Sequence, residues 1–260
     1  MKNSLLIVED SAIQSKIIAQ RFAALTTLDL HVVHSLTEAE NAVAEFRDEL
    51  FGAVVDLNLP DAPDGEAVDM CLGNGVPCVV LAATFDEDLR RKFLDKRVSD
   101  YFLKGTIDDL EPLISSVQRL HDNYAVKALV VDDSNTQRSI VRRMLEVQCI
   151  ESVEAKDGVD ALEVLEEHRD VRLVITDFNM PRMDGITLVQ EIRARFRENR
   201  MAVIGLSSTG SGPLTAQFLK HGANDFLTKP FEAEEFYWRV NQTLNTLDAL
   251  AELKLLRSRQ

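Results

Sequence analysis

Cysteine is scarce in this 260-residue chain: Cys71, Cys78 and Cys149 include no C-x-x-C pair. That spacing suggests neither a thiolate zinc site nor a disulfide framework, and it implies a reducing compartment. The chain also lacks a run of ~18 apolar residues and a charged-then-apolar leader, since Lys2 is followed directly by the strand-like LLIVED. A soluble cytoplasmic protein with no membrane partner is the expectation. Positive charge is in short supply too. The 29 basic residues face 43 acidic ones, a net of −14, which argues against general affinity for nucleic acid or anionic lipid. The acid is unevenly spread: −11 over residues 1–124, −5 over 125–248 and +2 over 249–260. The usual domain size of ~100–150 residues favours two domains.

What the chain does have, it has twice. VVDLNLPDAPDG (Val54 to Gly65) is answered about 120 residues later by VITDFNMPRMDG (Val174 to Gly185). LLIVEDS (Leu5 to Ser11) is answered by ALVVDDS (Ala128 to Ser134), VVLAATF (Val79 to Phe85) by AVIGLSST (Ala202 to Thr209), and DYFLKG (Asp100 to Gly105) by DFLTKP (Asp225 to Pro230). Such a period is too long for a solenoid unit and marks a domain duplication. In each copy short apolar runs alternate with amphipathic stretches at helical spacing. The second copy predicts strands near Ala128–Val131, Ser152–Ala155, Leu173–Thr176, Ala202–Leu206 and Asp225–Leu227. It predicts helices near Asn135–Glu146, Gly158–Arg169, Ile186–Arg197, Pro213–His221 and from Ala233 onward.

Five strands alternating with five helices imply right-handed crossovers and a doubly wound parallel sheet. The fold class is therefore α/β: two tandem five-stranded domains over 1–123 and 124–248, with a C-terminal helical extension over 249–260. In the first copy Thr37 and Glu40 suggest a capping box on the second helix. Leu110, Leu113, Ile114, Val117 and Leu120 share one face of its last helix, and HDNYAV (His121 to Val126) then separates the copies.

Ligands of open parallel sheets bind outside the carboxyl ends of the strands, where the strand order reverses. Polar residues collect at those ends: Glu9, Asp10, Asp56, Thr84 and Lys104 in the first copy, and Asp132, Asp133, Asp177, Ser207 and Lys229 in the second. Each has a structural reading on its own, as a helix cap, a turn residue or a solvated lysine. Three carboxylates, a hydroxyl and a lysine at five matching strand ends, twice over, point instead to shared chemistry. Three acids on one edge stay ionised together only around a cation, and oxygen ligands with few protein contacts suit Mg²⁺. Metal, ammonium and hydroxyl converging beside one carboxylate describe a phosphoryl-transfer site with the central aspartate as nucleophile.

Both copies resemble the receiver domain of two-component response regulators, over about residues 3–122 and 126–248, which implies a flavodoxin-like fold. The resemblance implies that Asp56 and Asp177 accept phosphoryl groups from a sensor histidine kinase or phosphotransfer protein. It implies one Mg²⁺ per receiver, held by Glu9, Asp10, Asp56 and the Asn58 carbonyl in one and by Asp132, Asp133, Asp177 and the Asn179 carbonyl in the other. Thr84 and Ser207 would follow the phosphoryl oxygens, with Lys104 and Lys229 paired to them, and Tyr101 and Phe226 match the aromatic that reports the switch. The second copy spaces aspartate, hydroxyl and lysine by 30 and 22 residues and keeps Lys229-Pro230, where the family has a cis peptide. The first copy has 28 and 20, an extra residue in LPDAPDG, Gly105 for the proline and bulky Phe85 after Thr84.

A phosphatase with an aspartyl-phosphate intermediate would need an acid two residues after the nucleophile, where Asn58 and Asn179 stand. A stand-alone tandem receiver that signals by docking partners is the other alternative. Val240, Leu244, Leu247, Ala251 and Leu255 recur at helical steps toward the end of the chain, predicting an apolar stripe that supports a homodimer. Two receivers followed by such a helix resemble the regulatory half of a diguanylate cyclase with a GGDEF output domain, the enzyme class that makes cyclic di-GMP.

Overall fold

The structure, a computed structural model, describes residues 2–84, 86–104, 110–196, 200–208 and 212–258, with residue 258 described by its backbone only. Phe85 and Gly105, singled out above, lie outside the described residues, as does Thr209. The chain divides into two compact units, Met1–Asp122 and Asn123–Gln260.

In the first unit the elements run β1 (Ser4–Val8), α1 (Ala12–Leu25), β2 (Asp29–Val33), α2 (Leu36–Phe46), β3 (Leu50–Asp56), α3 (Glu66–Gly73), β4 (Cys78–Ala82), α4 (Glu87–Asp95), β5 (Asp100–Leu103) and α5 (Leu110–Asn123). The second repeats the order with β6 (Lys127–Val131), α6 (Asn135–Val147), β7 (Glu151–Ala155), α7 (Gly158–Glu167), β8 (Val171–Asp177), α8 (Gly185–Arg195), β9 (Ala202–Ser207), α9 (Gly212–Lys220), β10 (Asp225–Thr228) and α10 (Ala233–Ser258). Each sheet is parallel throughout. The orders are β2-β1-β3-β4-β5 and, read from its other edge, β7-β6-β8-β9-β10.

The period-two strand pattern divides the cores. In the second unit Ala128, Val130, Leu173, Ile175, Ile204 and Leu206 pack with α6 and α10, whereas Leu129, Val131, Val174, Val203 and Phe226 pack with α7, α8 and α9. In the first, Leu6, Val8, Val55, Val80, Ala82 and Tyr101 join the buried faces of α2, α3 and Phe93 of α4. The predicted stripe on α5 is buried at Leu113, Ile114, Val117 and Leu120, while Leu110 is half-buried.

Three expectations need correction. The cap of α2 is Ser35, whose Oγ accepts from Glu38 N at 3.2 Å, and Glu38 Oε2 accepts from His34 N at 2.7 Å. The box therefore lies two residues before Thr37 and Glu40, because Leu36 already opens the helix. Of HDNYAV, the first three residues belong to α5 or to its end, leaving only Tyr124–Val126 before β6. The apolar stripe of α10 is not one exposed surface. Val240, Leu244 and Leu247 are core residues of the second unit, and Ala251 is half-buried. Leu250, Leu253, Leu255 and Leu256 carry the exposure, at 44%, 52%, 60% and 54%.

Candidate functional site

Strand register brings the acids together. Val8 of β1 pairs with Val55 of β3, so the chain leaves β1 through Glu9 and Asp10 alongside Asp56. Val131 pairs with Thr176, which sets Asp132 and Asp133 beside Asp177 in the same way. Both places are sheet switch points, where strand order reverses. Ser11 and Ser134 then cap the following helices, accepting from Gln14 N and Gln137 N. These caps turn the chain away and leave Asp10 and Asp133 exposed at the rim, while Glu9, Asp56, Asp132 and Asp177 are buried.

The lysines close the sites from the other side. Lys104 Nζ lies 2.6 Å from Asp56 Oδ2 and 2.8 Å from Glu9 Oε2. Lys229 Nζ lies 2.6 Å from Asp177 Oδ1 and 2.8 Å from Asp132 Oδ2. The peptide N–H groups two residues on also serve the aspartates, Asn58 N to Asp56 Oδ1 at 3.2 Å and Asn179 N to Asp177 Oδ2 at 2.8 Å. The side chains of Asn58 and Asn179 are exposed. The Lys229-Pro230 peptide is cis. Gly185, the first residue of α8, is required sterically: a Cβ there would stand 2.3 Å from the Asp177 carbonyl oxygen.

Burial sets the electrostatics. It pushes the Glu9 and Asp177 carboxyls above the usual carboxylate range, and the neighbouring lysines only partly offset it. For Lys104 and Lys229 burial works to lower the ammonium, but the hydrogen bonds to the paired acids outweigh it and hold both above the usual lysine range. Each site is thus short of positive charge. In the first, ligand oxygens of Glu9, Asp10 and Asp56 all lie within 4.8 Å of one another. Carboxylates gathered this closely, with one lysine between them, fit a small divalent cation such as Mg²⁺. Among the described residues no other acidic trio is gathered so tightly.

Register also corrects the hydroxyl. Asp56 pairs with Leu81 and Asp177 with Leu206, and Lys104 N and Lys229 N donate to the carbonyls of Ala82 and Ser207 at 2.7 and 2.8 Å. Ala82 therefore stands in β4 where Ser207 stands in β9. Thr84 is exposed, two residues past the end of β4. The spacing from position 82 to Lys104 is 22, as from Ser207 to Lys229, and that equality was the available signal. Tyr101 and Phe226 are both buried, on the sheet face that carries Ala82 and Ser207. Phe226 packs against Phe218 with ring centroids 5.3 Å apart, and among the described residues Tyr101 Oη finds no hydrogen-bond partner.

Sequence reasoning also missed residues around the sites. Arg138 Nη1 donates to the Asp132 carbonyl at 2.7 Å, and the Glu9 carbonyl oxygen lies 2.8 Å from Nδ1 of His34. Neither follows a strand-end pattern.

A buried aspartate bonded to lysine at the carboxyl edge of a five-stranded parallel sheet, next to paired acids, defines a phosphoacceptor module of the receiver class. The response regulator receiver domain family matches residues 128–241. The chain is 37% identical to chemotaxis protein CheY1 of Helicobacter pylori over 124 residues, 47% of this chain and 100% of that protein. It is 36% identical to chemotaxis protein CheY of Bacillus subtilis over 122 residues, 46% of this chain and 99% of that one. Among solved structures, a chain described as a two-component system response regulator/GGDEF domain protein is 40% identical, with a TM-score of 0.87 covering 95% of this chain and 100% of that chain. A second of the same description is 41% identical with a TM-score of 0.86. The chain belongs to the response regulator receiver family, and it is a two-component response regulator with two receiver domains in tandem.

Proposed function

We propose that Asp56 and Asp177 are the phosphoacceptors, supplied by a sensor histidine kinase or phosphotransfer protein. The observation that carries this reading is the buried aspartate in each unit held 2.6 Å from a lysine ammonium. A carboxylate oxygen forms the new P–O bond while the P–N bond of a phosphohistidine breaks, and the electron pair leaves with the imidazole, which takes up a proton. Lys104 or Lys229 stays with the charge that builds on the phosphoryl oxygens, and in the second domain Ser207 supplies a hydrogen-bond donor there. Glu9, Asp10 and Asp56, with the Asn58 carbonyl, would hold one Mg²⁺, and Asp132, Asp133, Asp177 and the Asn179 carbonyl a second. A bound Mg²⁺ supplies charge neutralisation for the incoming phosphoryl group.

The signal then passes to an output. The likeness to the two response regulator/GGDEF chains favours a diguanylate cyclase output reached through α10, with this chain itself a phosphoacceptor and not a catalyst. The exposed leucines of α10 support self-association as a homodimer. We place the protein in the cytoplasm; no described helix is long and apolar enough to cross a membrane.

Intact-mass spectrometry after incubation with acetyl phosphate tests the core of this reading. With Mg²⁺ the wild-type chain should gain phosphoryl groups, and the gain should fall stepwise in Asp56→Asn and Asp177→Asn and vanish with a chelator. Uptake that survives the double substitution would remove both assignments.

A further inference from the structure

The observation is a strand position beside each aspartate, Ala82 in the first domain and Ser207 in the second, at which one site has a hydroxyl and the other a methyl. On the sheet face that carries Ser207 in the second domain stand Gly205 and Phe226, directly paired across β9 and β10. On the matching face of the first domain stand Val80 and Tyr101, directly paired across β4 and β5, and Ala82 takes the place of Ser207. Ser207 is buried, and its hydroxyl belongs to the residue that follows the one paired with Asp177. A phosphoryl group on Asp177, with about −2 charge, therefore meets a donor that can turn toward it. That turn changes the space beside Phe226, two residues away on the neighbouring strand. The Ala82 methyl has no donor and no rotamer. Thr84, the nearest hydroxyl along the chain, is exposed beyond the strand end. Tyr101 is buried as Phe226 is, at 8% and 6% exposure, so the two aromatics start alike and the difference lies at Ala82 and Ser207.

We propose that Ala82 uncouples the first receiver: Asp56 takes a phosphoryl group, held by Lys104, while the Tyr101 face of that domain keeps one arrangement whether or not the group is present. A ligand shifts a conformational equilibrium only through contacts that differ between the two states, and β4 supplies no such contact. The first domain then stores or relays phosphoryl groups with a constant docking face, and the second alone converts phosphorylation into a change of shape. This inference rests on the receiver reading of both sites.

The test uses the full chain with Mg²⁺ and beryllofluoride, a phosphoryl mimic. Fluorine NMR counts occupied aspartates, using Asp56→Asn and Asp177→Asn for assignment, and amide exchange is followed over residues 78–104 and 202–229. Both aspartates should be occupied. Exchange over 202–229 should change by about fivefold or more, the lower end of ordinary coupling, while 78–104 changes little. Ser207→Ala should flatten the response of the second domain, and Ala82→Ser should create one in the first. Failure of beryllofluoride to bind at either aspartate would sink the receiver reading itself. Binding at Asp56 with a response in 78–104 equal to that of the second domain, or one abolished by Thr84→Ala, would overturn the uncoupling while leaving the receiver reading in place.

Discussion

The two receivers anchor the loop that follows Asp56 or Asp177 with opposite charges. In the first, the loop turns back on itself through a bridge between Leu59 and Ala62, and Asp61 Oδ1 and Oδ2 accept from Leu36 N and Thr37 N at 3.0 and 3.4 Å. The acid thus sits on unpaired N–H groups at the start of α2, where negative charge is favoured. In the second, the loop carries a cation. Arg182 Nε donates to Asp157 Oδ2 at 2.8 Å, and Asp157 is itself the cap of α7, accepting from Val159 N and Asp160 N. Burial works to raise the Asp157 carboxyl, but those N–H groups and the guanidinium hold it below the usual range. In the first domain the loop residue Asp61 thus adds a carboxylate at Leu36 N and Thr37 N, beside the Ser35 cap that serves Glu38 N. In the second, the helix keeps its acid and borrows a cation. The same tether is built twice, and the sign of the loop residue follows from which side owns the carboxylate.

The largest effects should come from the lysines. Lys229→Ala leaves Asp132 and Asp177 buried beside each other, and removal of one partner from a buried pair costs about 3 kcal/mol or more. Thermal unfolding without metal should show this loss, with Mg²⁺ restoring much of it. Lys104→Ala should behave alike through Glu9 and Asp56. A Lys229→Ala protein as stable without Mg²⁺ as the wild type would mean that the buried acids do not repel. Next in size is Gly185→Ala, whose Cβ meets the Asp177 carbonyl: about 2 kcal/mol of overpacking is expected, with reduced phosphoryl uptake at Asp177 and normal uptake at Asp56. Equal loss at both aspartates would show that the defect is not local to the second site.

The loop tethers should be worth less. Asp61→Ala removes a helix-capping carboxylate, and about 1 kcal/mol is the expected cost. Arg182→Ala should cost less than that, since the Arg182 side chain is half exposed and Asp157 keeps its cap bonds. Denaturant unfolding that ranks these two the other way would mean that the Arg182 tether outweighs the Asp61 one.

The smallest effect is a pH slope. Because Glu9 and Asp177 are raised, the folded protein without metal binds more protons than the unfolded chain between the ordinary carboxylate range and the raised values. Stability from these two groups therefore falls as pH rises through that window. Glu9→Gln and Asp177→Asn should each flatten the slope, and added Mg²⁺, which favours the ionised forms, should oppose it. Slopes identical in wild type and variants would show that neither carboxyl is raised.

By itself the sequence determined the duplication, the order of strands and helices, and the acid at the end of β1, β3, β6 and β8. These are local matters: an apolar period of two or 3.6 names the element and its buried face, and a strand that stops on an acid shows it without reference to any partner. The cap of α2 was misplaced by two residues, since Thr37 and Glu40 have the same three-residue spacing as Ser35 and Glu38, which form it. What only the tertiary structure decided was which residues stand side by side. Counting forward from Asp56 pointed to Thr84, whereas the ladder between β3 and β4 places Ala82 beside the site, because loop length between strands varies while hydrogen-bond register does not. In the same way the spacing of Val240, Leu244 and Leu247 announced an apolar stripe, but only packing against β6, β8 and β9 showed it spent on the core of the domain, with the uncovered leucines beginning at Leu250. Periodicity along one segment states that a face must be buried; what buries it is set by contacts between segments far apart in the chain.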